Sequence, residues 1–275
     1  MSFLPNTQIE LIEPRFPRGR IRHALFDFDG TLSLIREGWQ GVMVPMMVEI
    51  LLQTPRAEDE AAIRTVVREF VIRLTGKQTI YQMIQLAEEV EKRGGRPLDP
   101  LAYKRMYLDR LWDRIKGRVA DLEAGRMQPD DMMVPGGRAM LEALTARGVR
   151  CYLASGTDEP YVLHEAELLG LPRYFAGIYG AHDDYKAHDK RIVIQHIISE
   201  NQLSGPEFVA FGDGYVEIED ARSVNGIAVG VATNEAERQG IDEWKRSRLI
   251  QAGAQVIVPD FRECGKLVEF LFDVE

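Results

Sequence analysis

The feature that most constrains the fold is a regular alternation of short apolar runs with amphipathic stretches in the second half of the chain. After residue 133, five β-rich runs are separated by segments of helical character, and they read VRCYLAS, YFAGIYG, FVAFGDG, GIAVGVA and QVIVPDF. One more apolar run, IRHALFDF, stands near the N-terminus at residues 21–28. Strands that alternate with single helices are typical of a parallel sheet with crossover helices. We therefore predict an α/β fold.

The stretch between the first apolar run and the others has a different character. Glycine is sparse in residues 34–133, and apolar residues recur with helical spacing, which predicts about four amphipathic helices. The three clearest stripes are Ile63, Val66, Val67, Phe70, Val71 and Leu74; Ile80, Met83, Ile84, Ala87 and Val90; and Leu108, Leu111, Trp112, Ile115, Val119 and Leu122. We predict a core of residues 20–33 and 134–275, interrupted by a helical insert, with residues 1–19 as an extended arm or small hairpin.

Polar side chains follow three of the predicted strands. Asp27 and Asp29 come after the first, Ser155 ends the second, and Asp213 follows a later one. Lys190 opens the helix between the last two. Because parallel strands bind ligands at their carboxyl ends, we expect these residues to meet at one edge of the sheet.

Several carboxylates at one edge repel one another unless a cation lies among them. Asp27, Asp29, Asp213 and Glu217 supply oxygen ligands of the kind that Mg²⁺ uses beside phosphate. Lys190 adds a second positive charge. One carboxylate of such a set can attack phosphorus while another transfers protons, so the set predicts phosphoryl transfer.

Phosphate oxygens need hydrogen-bond donors at the same edge. A hydroxyl and the main-chain N–H groups of a glycine-rich turn can supply them. The candidate phosphate-binding residues are Ser155, Gly156 and Thr31, with Lys77 of the insert as a further contact to a substrate anion.

The motifs DFDGT, LASGT and FGDGYVE, with a lysine before the last, resemble those of the haloacid dehalogenase (HAD) superfamily in order and spacing. The resemblance covers nearly the whole core and implies a Rossmann-like sheet. The insert resembles the helical cap of the phosphatase and β-phosphoglucomutase-like branches. The resemblance of the motifs implies that Asp27 is the nucleophile and Asp29 the acid/base catalyst. It also implies that Asp213, Asp27 and the main-chain carbonyl of Asp29 hold the metal.

Two positions leave alternatives open. The family lysine can be Lys190 or Lys186, and Lys190 is preferred because it starts an apolar helical period. Glu217 stands where the family more often has aspartate, so Asp220 is an alternative ligand, and both acids can also be simple partners of a helix N-terminus.

The segment TGKQT, Thr75 to Thr79, resembles the end of a phosphate loop. It lacks the required preceding glycine, because position 71 is valine, and Lys77 is not followed by serine or threonine. Two interpretations remain, a surface turn between two helices or a specificity loop that reaches over the core.

Composition and charge argue against several classes of protein function. The net charge is −9, which argues against broad nucleic-acid binding. No run of 18 apolar residues and no secretory leader is evident, so we expect a cytoplasmic protein that does not bind membranes. The two cysteines, Cys151 and Cys264, are expected to be reduced thiols.

The expected function is that of a Mg²⁺-dependent phosphatase for a small phosphorylated metabolite, with a sugar or polyol phosphate favoured. A phosphomutase is the principal alternative. A phosphonatase would require Lys77 as a Schiff-base lysine, and a dehalogenase would not need Asp29. A non-enzymatic regulatory module is the alternative from another class. The sequence leaves the oligomeric state open.

Overall fold

The computed structural model describes residues 2–184 and 190–273, and within them it has one sheet of eight strands. The strands are β1 (Ser2–Phe3), β2 (Glu10–Leu11), β3 (His23–Phe26), β4 (Arg150–Asp158), β5 (Phe175–Ala181), β6 (Phe208–Gly212), β7 (Ile227–Val231) and β8 (Val256–Val258). Their order across the sheet is β1-β2-β8-β7-β6-β3-β4-β5.

Strand β3 lies in the middle of a parallel set that runs from β8 to β5. Phe26, its last residue, is opposite Leu153 of β4 and Phe211 of β6, and both neighbours run parallel to it. All four residues of β3 are buried, as expected for a parallel strand covered on both faces. The predicted α/β fold is confirmed, and the strand ends that carry the motifs share one edge.

The helices fall into two groups. The α-helices of the described residues are α1 (Gln40–Leu52), α2 (Glu60–Leu74), α3 (Thr79–Lys92), α4 (Pro100–Glu123), α5 (Gly137–Thr145), α6 (Glu159–Leu168), α7 (Lys190–Glu200), α8 (Tyr215–Ser223), α9 (Glu243–Gln251) and α10 (Cys264–Phe272). Helices α1–α4, here called the cap helices, lie between β3 and α5 and pack mainly against one another. Four helices were expected there; the domain boundaries stay a prediction.

Two hydrophobic cores cover the two faces of the sheet. In β3, Ala24 and Phe26 join the core that includes α5, α6 and α10, whereas Leu25 joins the core that includes α7, α8 and α9. Alternate side chains of a strand point to opposite faces, so this division follows from the strand geometry. The first core continues into the cap helices.

Some local expectations need correction. Strand β4 continues to Asp158, where the sequence suggests that a helix begins at Gly156, because Asp158 still pairs with Ala181 of β5 through an irregular register. Trp112 was placed on an apolar stripe, but it is 47% exposed. The N-terminal segment forms a hairpin, one of the two forms expected for it, and the second strand of the hairpin pairs with β8 and so extends the sheet. Helix α9 was missed.

Among the described residues, no helix combines the length and the apolar character that a membrane crossing requires. Both cysteines are free, with Cys151 buried in β4 and Cys264 at the start of α10. Burial raises the pKa of the Cys151 thiol to about 12, which keeps it protonated at neutral pH.

Candidate active site

The two aspartates of the first motif follow β3 directly. Asp27 is buried, and its main-chain N–H donates a hydrogen bond to the carbonyl of Phe211, which continues the pairing with β6. The chain then turns at Gly30, whose φ is +75°. A Cβ at Gly30 would lie 2.4 Å from Oδ2 of Asp213, so glycine lets the last motif approach the first.

Asp29 is held by hydroxyl groups from the end of β4. Thr157 donates a hydrogen bond to Oδ2 of Asp29 at 2.8 Å, and Ser155 donates a longer one at 3.4 Å. The main-chain N–H of Thr157 in turn donates to the Ser155 hydroxyl at 3.1 Å. Thr157 therefore fixes the orientation of the Asp29 carboxylate.

Asp213 is fixed from two sides. Its main-chain N–H donates to the hydroxyl of Thr31 at 3.0 Å, and its Oδ2 accepts from Nζ of Lys245 at 2.7 Å. Thr31 is fully buried and joins the first motif to the last, and it is not among the residues that line the cavity described below. Its expected role in phosphate binding stays a prediction, since nothing else in the described chain tests it.

A second buried cation lies on the other side of the site. Arg36 makes a bidentate contact with Glu165 of α6, with Nη2 to Oε1 at 2.6 Å, and its Nε is 4.0 Å from Oδ1 of Asp29. Burial disfavours the charged guanidinium, but the Glu165 and Asp29 carboxylates outweigh it and hold the pKa of Arg36 above its ordinary value. Arg36 stays charged beside Asp29.

The motif residues line a cavity of about 100 Å³ together with residues of the cap. The core contributes Asp27, Asp29, Ser155, Gly156, Thr157 and Asp213. The linker to the cap and the cap helices contribute Arg36, Trp39, Met43, Thr79, Gln82 and Tyr107. The predicted convergence of the motifs thus coincides with a cavity between core and cap.

The cap loop, residues 75–78, borders this cavity through Thr75, Gly76 and Lys77. A Cβ at Gly156 would lie 3.0 Å from the carbonyl oxygen of Lys77, and a Cβ at Gly76 would lie 3.1 Å from Cα of Gly214. The loop therefore touches the ends of both β4 and β6, and Lys77 lines the cavity. Of the two interpretations of TGKQT, the placement favours a loop that reaches over the core.

Four further residues predicted for the site either do not line the cavity or have side chains outside the described structure. Glu217 is fully buried beside Gly212 and Gly214, and Asp220 is buried with Nε of Arg191 at 3.2 Å. Neither is among the described residues that line the cavity. Lys190 begins α7, but its side chain lies outside what the structure describes, as does Lys186 entirely. The roles of these residues stay predictions.

The donor set fits a magnesium ion. Asp27 and Asp213 line one cavity, and both offer the oxygen ligands that a hard cation prefers. In the described part of the chain, no group of three or more His, Cys, Asp or Glu side chains is placed so that it could hold a metal ion by itself. Mg²⁺ usually keeps several waters and binds through one or two carboxylates, so an open pair of aspartates suits it.

Comparison with known proteins decides the family. A family model described as haloacid dehalogenase-like hydrolase matches residues 21–225. The chain belongs to this family. No match was found among the curated proteins. The expectation of a HAD-type hydrolase is therefore confirmed at the level of the family.

Solved structures share the fold of this HAD-like hydrolase. A predicted phosphoglycolate phosphatase from Haemophilus somnus is 17% identical, with a TM-score of 0.57 over 90% of this chain and 98% of that chain. A predicted phosphatase from Clostridium acetobutylicum is 20% identical, with a TM-score of 0.56 over 90% and 99%. CbbY from Rhodobacter sphaeroides, in complex with phosphate, is 17% identical, with a TM-score of 0.54 over 89% and 96%.

Several residues at the site were not foreseen from the sequence, among them Arg36, Lys245 and Glu235, whose Oε1 is 2.6 Å from Nζ of Lys245. Arg36 lies only seven positions after Asp29, so its proximity to the first motif was a usable signal. Glu235 and Lys245 lie after the last motif, the latter on the missed helix α9, and no family motif or apolar period marks them.

Proposed function

We propose that this HAD-like hydrolase is a Mg²⁺-dependent phosphatase that acts on a small phosphorylated metabolite, with a sugar or polyol phosphate favoured. The observation that carries the proposal is the placement of Asp27 and Asp29 in one cavity, with Asp29 held by Thr157 and Ser155. Phosphoryl transfer requires mainly positioning and charge neutralisation, and such an arrangement supplies both.

The two aspartates divide the chemistry. A carboxylate oxygen of Asp27 attacks phosphorus, and the bond from phosphorus to the leaving oxygen breaks, which forms an aspartyl phosphate. Asp29 gives its proton to that leaving oxygen and then takes one from the water that hydrolyses the aspartyl phosphate. Thr157 keeps Asp29 oriented for both proton transfers.

Asp27, Asp213 and the main-chain carbonyl of Asp29 would hold Mg²⁺. When bound, the ion neutralises charge on the phosphate and the attacking carboxylate. Arg36 and Lys77 add positive charge at the cavity, and Ser155 offers a hydroxyl at the same edge.

The cap side of the cavity supports a small polyol as the leaving group. Gln82, Thr79 and Tyr107 offer amide and hydroxyl groups for substrate hydroxyls, while Trp39 and Met43 offer apolar surface for C–H groups. The cavity of about 100 Å³ favours a small substrate. The cap loop lies over the core, where it would limit the access of bulk solvent to the cavity while the substrate is bound.

The test is a phosphatase screen with phosphorylated sugars, polyols, nucleotides and amino acids, run with MgCl₂ and with EDTA. We expect release of inorganic phosphate from a sugar or polyol phosphate, dependent on Mg²⁺, and no measurable turnover in Asp27→Asn. Asp113→Asn is the matched control, because Asp113 is exposed on α4 and paired only with Lys116 in the described chain.

Three outcomes would contradict the proposal. Wild-type activity in Asp27→Asn would exclude Asp27 as the nucleophile. Conversion of a hexose 1-phosphate to an isomeric phosphate without release of inorganic phosphate would show a phosphomutase. The absence of any activity across the panel would favour a regulatory module.

A further inference from the structure

Lys245 enters the site from a helix outside the family motifs. It lies in the first turn of α9, where the side chain of Asp242 accepts hydrogen bonds from the N–H groups of Trp244 and Lys245 and so fixes the start of the helix. Its side chain is only 8% exposed. The capped helix therefore delivers a buried ammonium group to one defined place.

The ammonium group bridges two carboxylates. Nζ of Lys245 is 2.7 Å from Oδ2 of Asp213 and 2.6 Å from Oε1 of Glu235. Burial disfavours the charged amine, but the two carboxylates outweigh it and raise the pKa of Lys245. The bridge is a pair of short, charge-assisted hydrogen bonds.

The bridge determines which oxygens face a cation. Oδ2 of Asp213 is engaged by Lys245, whereas no described residue contacts Oδ1 as a donor. Glu235 lies next to the first motif, since a Cβ at Gly30 would be 3.0 Å from its Oε1. Without Lys245, this side of the site would offer both oxygens of Asp213 and a further carboxylate.

The number of available oxygens discriminates between divalent cations. Ca²⁺ takes six to eight oxygen ligands, often from bidentate carboxylates, whereas Mg²⁺ prefers six in a strict octahedron and retains water. We propose that Lys245 is a positioning residue that makes the site selective for Mg²⁺ over Ca²⁺, because it withholds Glu235 and one oxygen of Asp213 from the ion. This inference rests on the proposed metal-dependent function.

The test is isothermal titration of the metal-free protein with MgCl₂ and with CaCl₂. In Lys245→Met we expect Ca²⁺ to bind about tenfold more tightly than in the wild type, while the Mg²⁺ affinity changes by less than about threefold. In Lys245→Met/Glu235→Gln the Ca²⁺ to Mg²⁺ ratio should return to within about threefold of the wild type, since the extra carboxylate is gone.

Lys245→Arg is the conservative control, because it keeps the charge and both partners, and its ratio should match the wild type. Circular dichroism reports whether each variant folds. If Lys245→Met does not fold, Lys245→Gln takes its place, since the amide can still donate to one carboxylate, and the ratio should shift in the same direction.

If folded Lys245→Met has the same ratio of Ca²⁺ to Mg²⁺ affinity as the wild type, or a ratio shifted towards Mg²⁺, the inference is overturned. The proposed function fails in a different way, because the wild type would then show neither Mg²⁺ binding nor phosphatase activity. A wild type that binds Mg²⁺ and hydrolyses phosphate esters, with an unchanged ratio in Lys245→Met, contradicts the role of Lys245 alone.

Discussion

Two buried cations flank the acidic site, and they are used differently. Arg36 makes its short contacts with Glu165, a residue of α6 outside the motifs, and reaches Asp29 only at 4.0 Å. Lys245 shares its charge almost equally between Asp213 and Glu235, at 2.7 and 2.6 Å. Arg36 thus ties the linker before the cap to the core, whereas Lys245 acts on a motif residue itself.

The difference shows that burial and charge alone do not define a functional residue. Both cations are buried and both keep a raised pKa, yet one balances a single close carboxylate and the other faces two. A balanced buried pair contributes mainly to the relative placement of the elements that it joins. An unbalanced set leaves net negative charge, and that charge attracts a cation.

The largest expected effect comes from breaking the balanced pair. Arg36→Met leaves the Glu165 carboxylate buried without its partner, so we expect the free energy of unfolding to fall by about 3–5 kcal/mol. Urea unfolding measures this. Arg64→Met is the control, because Arg64 pairs with Glu60 on an exposed face of α2 and should cost less than about 1 kcal/mol. Equal losses in the two variants would contradict the assignment.

Lys245→Met should lower the free energy of unfolding by less than Arg36→Met does. The carboxylate partners of Lys245 are 12% and 18% exposed, so water can reach them when the ammonium group is removed. We expect a loss of about 2 kcal/mol in metal-free buffer. Saturating CaCl₂ should then raise the free energy of unfolding by about 1.4 kcal/mol more in Lys245→Met than in Arg36→Met. This difference corresponds to Ca²⁺ binding about tenfold more tightly to Lys245→Met. Thermal unfolding with and without CaCl₂ measures this gain in the free energy of unfolding. An equal gain in Lys245→Met and Arg36→Met would contradict the different use of the two cations.

A third variant tests the hydroxyl of Thr157, which holds Asp29. Thr157→Val removes the 2.8 Å hydrogen bond to Asp29 and keeps the shape of the side chain. Because the bond positions the proposed acid/base residue, we expect kcat to fall about tenfold, equivalent to about 1.4 kcal/mol, with a smaller change in KM. Thr145→Val is the control, since that hydroxyl bonds only within α5. A change in KM alone would argue against this role.

Much of the fold could be predicted because its signals are local. The run of four buried residues in β3 and the helical periods of the insert follow from side-chain spacing alone. Helix α9 was missed because its sequence, EWKRSRLIQ, has a single fully buried apolar residue, Leu249, and no clear stripe. The end of β4 was misjudged because its pairing with β5 is a long-range contact.

The site residues likewise fall into a group that the sequence could predict and a group that only tertiary packing brings to the site. Asp27, Asp29, Ser155 and Asp213 stand at strand ends, so the topology of a parallel sheet brings them together and the sequence could predict it. Lys245 and Glu235 reach the site by the packing of α9 and its preceding loop against the last motif, which no periodicity encodes. Glu165 pairs with a residue 129 positions away and carries no signal of its own.

The smallest expected effect concerns the cap loop, which lines the cavity together with Arg36. Gly76 has a φ of +96°, and a Cβ there would lie 3.1 Å from Cα of Gly214, so Gly76→Ala should push the loop away from the end of β6. We expect KM for the substrate to rise about threefold with little change in kcat, because the loop lines the cavity but does not react.

Gly125→Ala is the matched control for backbone strain. Gly125 has a φ of +66° with no atom within 4 Å of its Cβ position, so alanine there meets the strain of a positive φ without a contact. Gly125→Ala should lose about 1 kcal/mol of stability and Gly76→Ala at least as much, and only Gly76→Ala should change KM. If both variants left KM unchanged, the contact of the cap loop with the end of β6 would not contribute to substrate binding. Selectivity would then have to come from the other cavity walls, which include the buried Arg36.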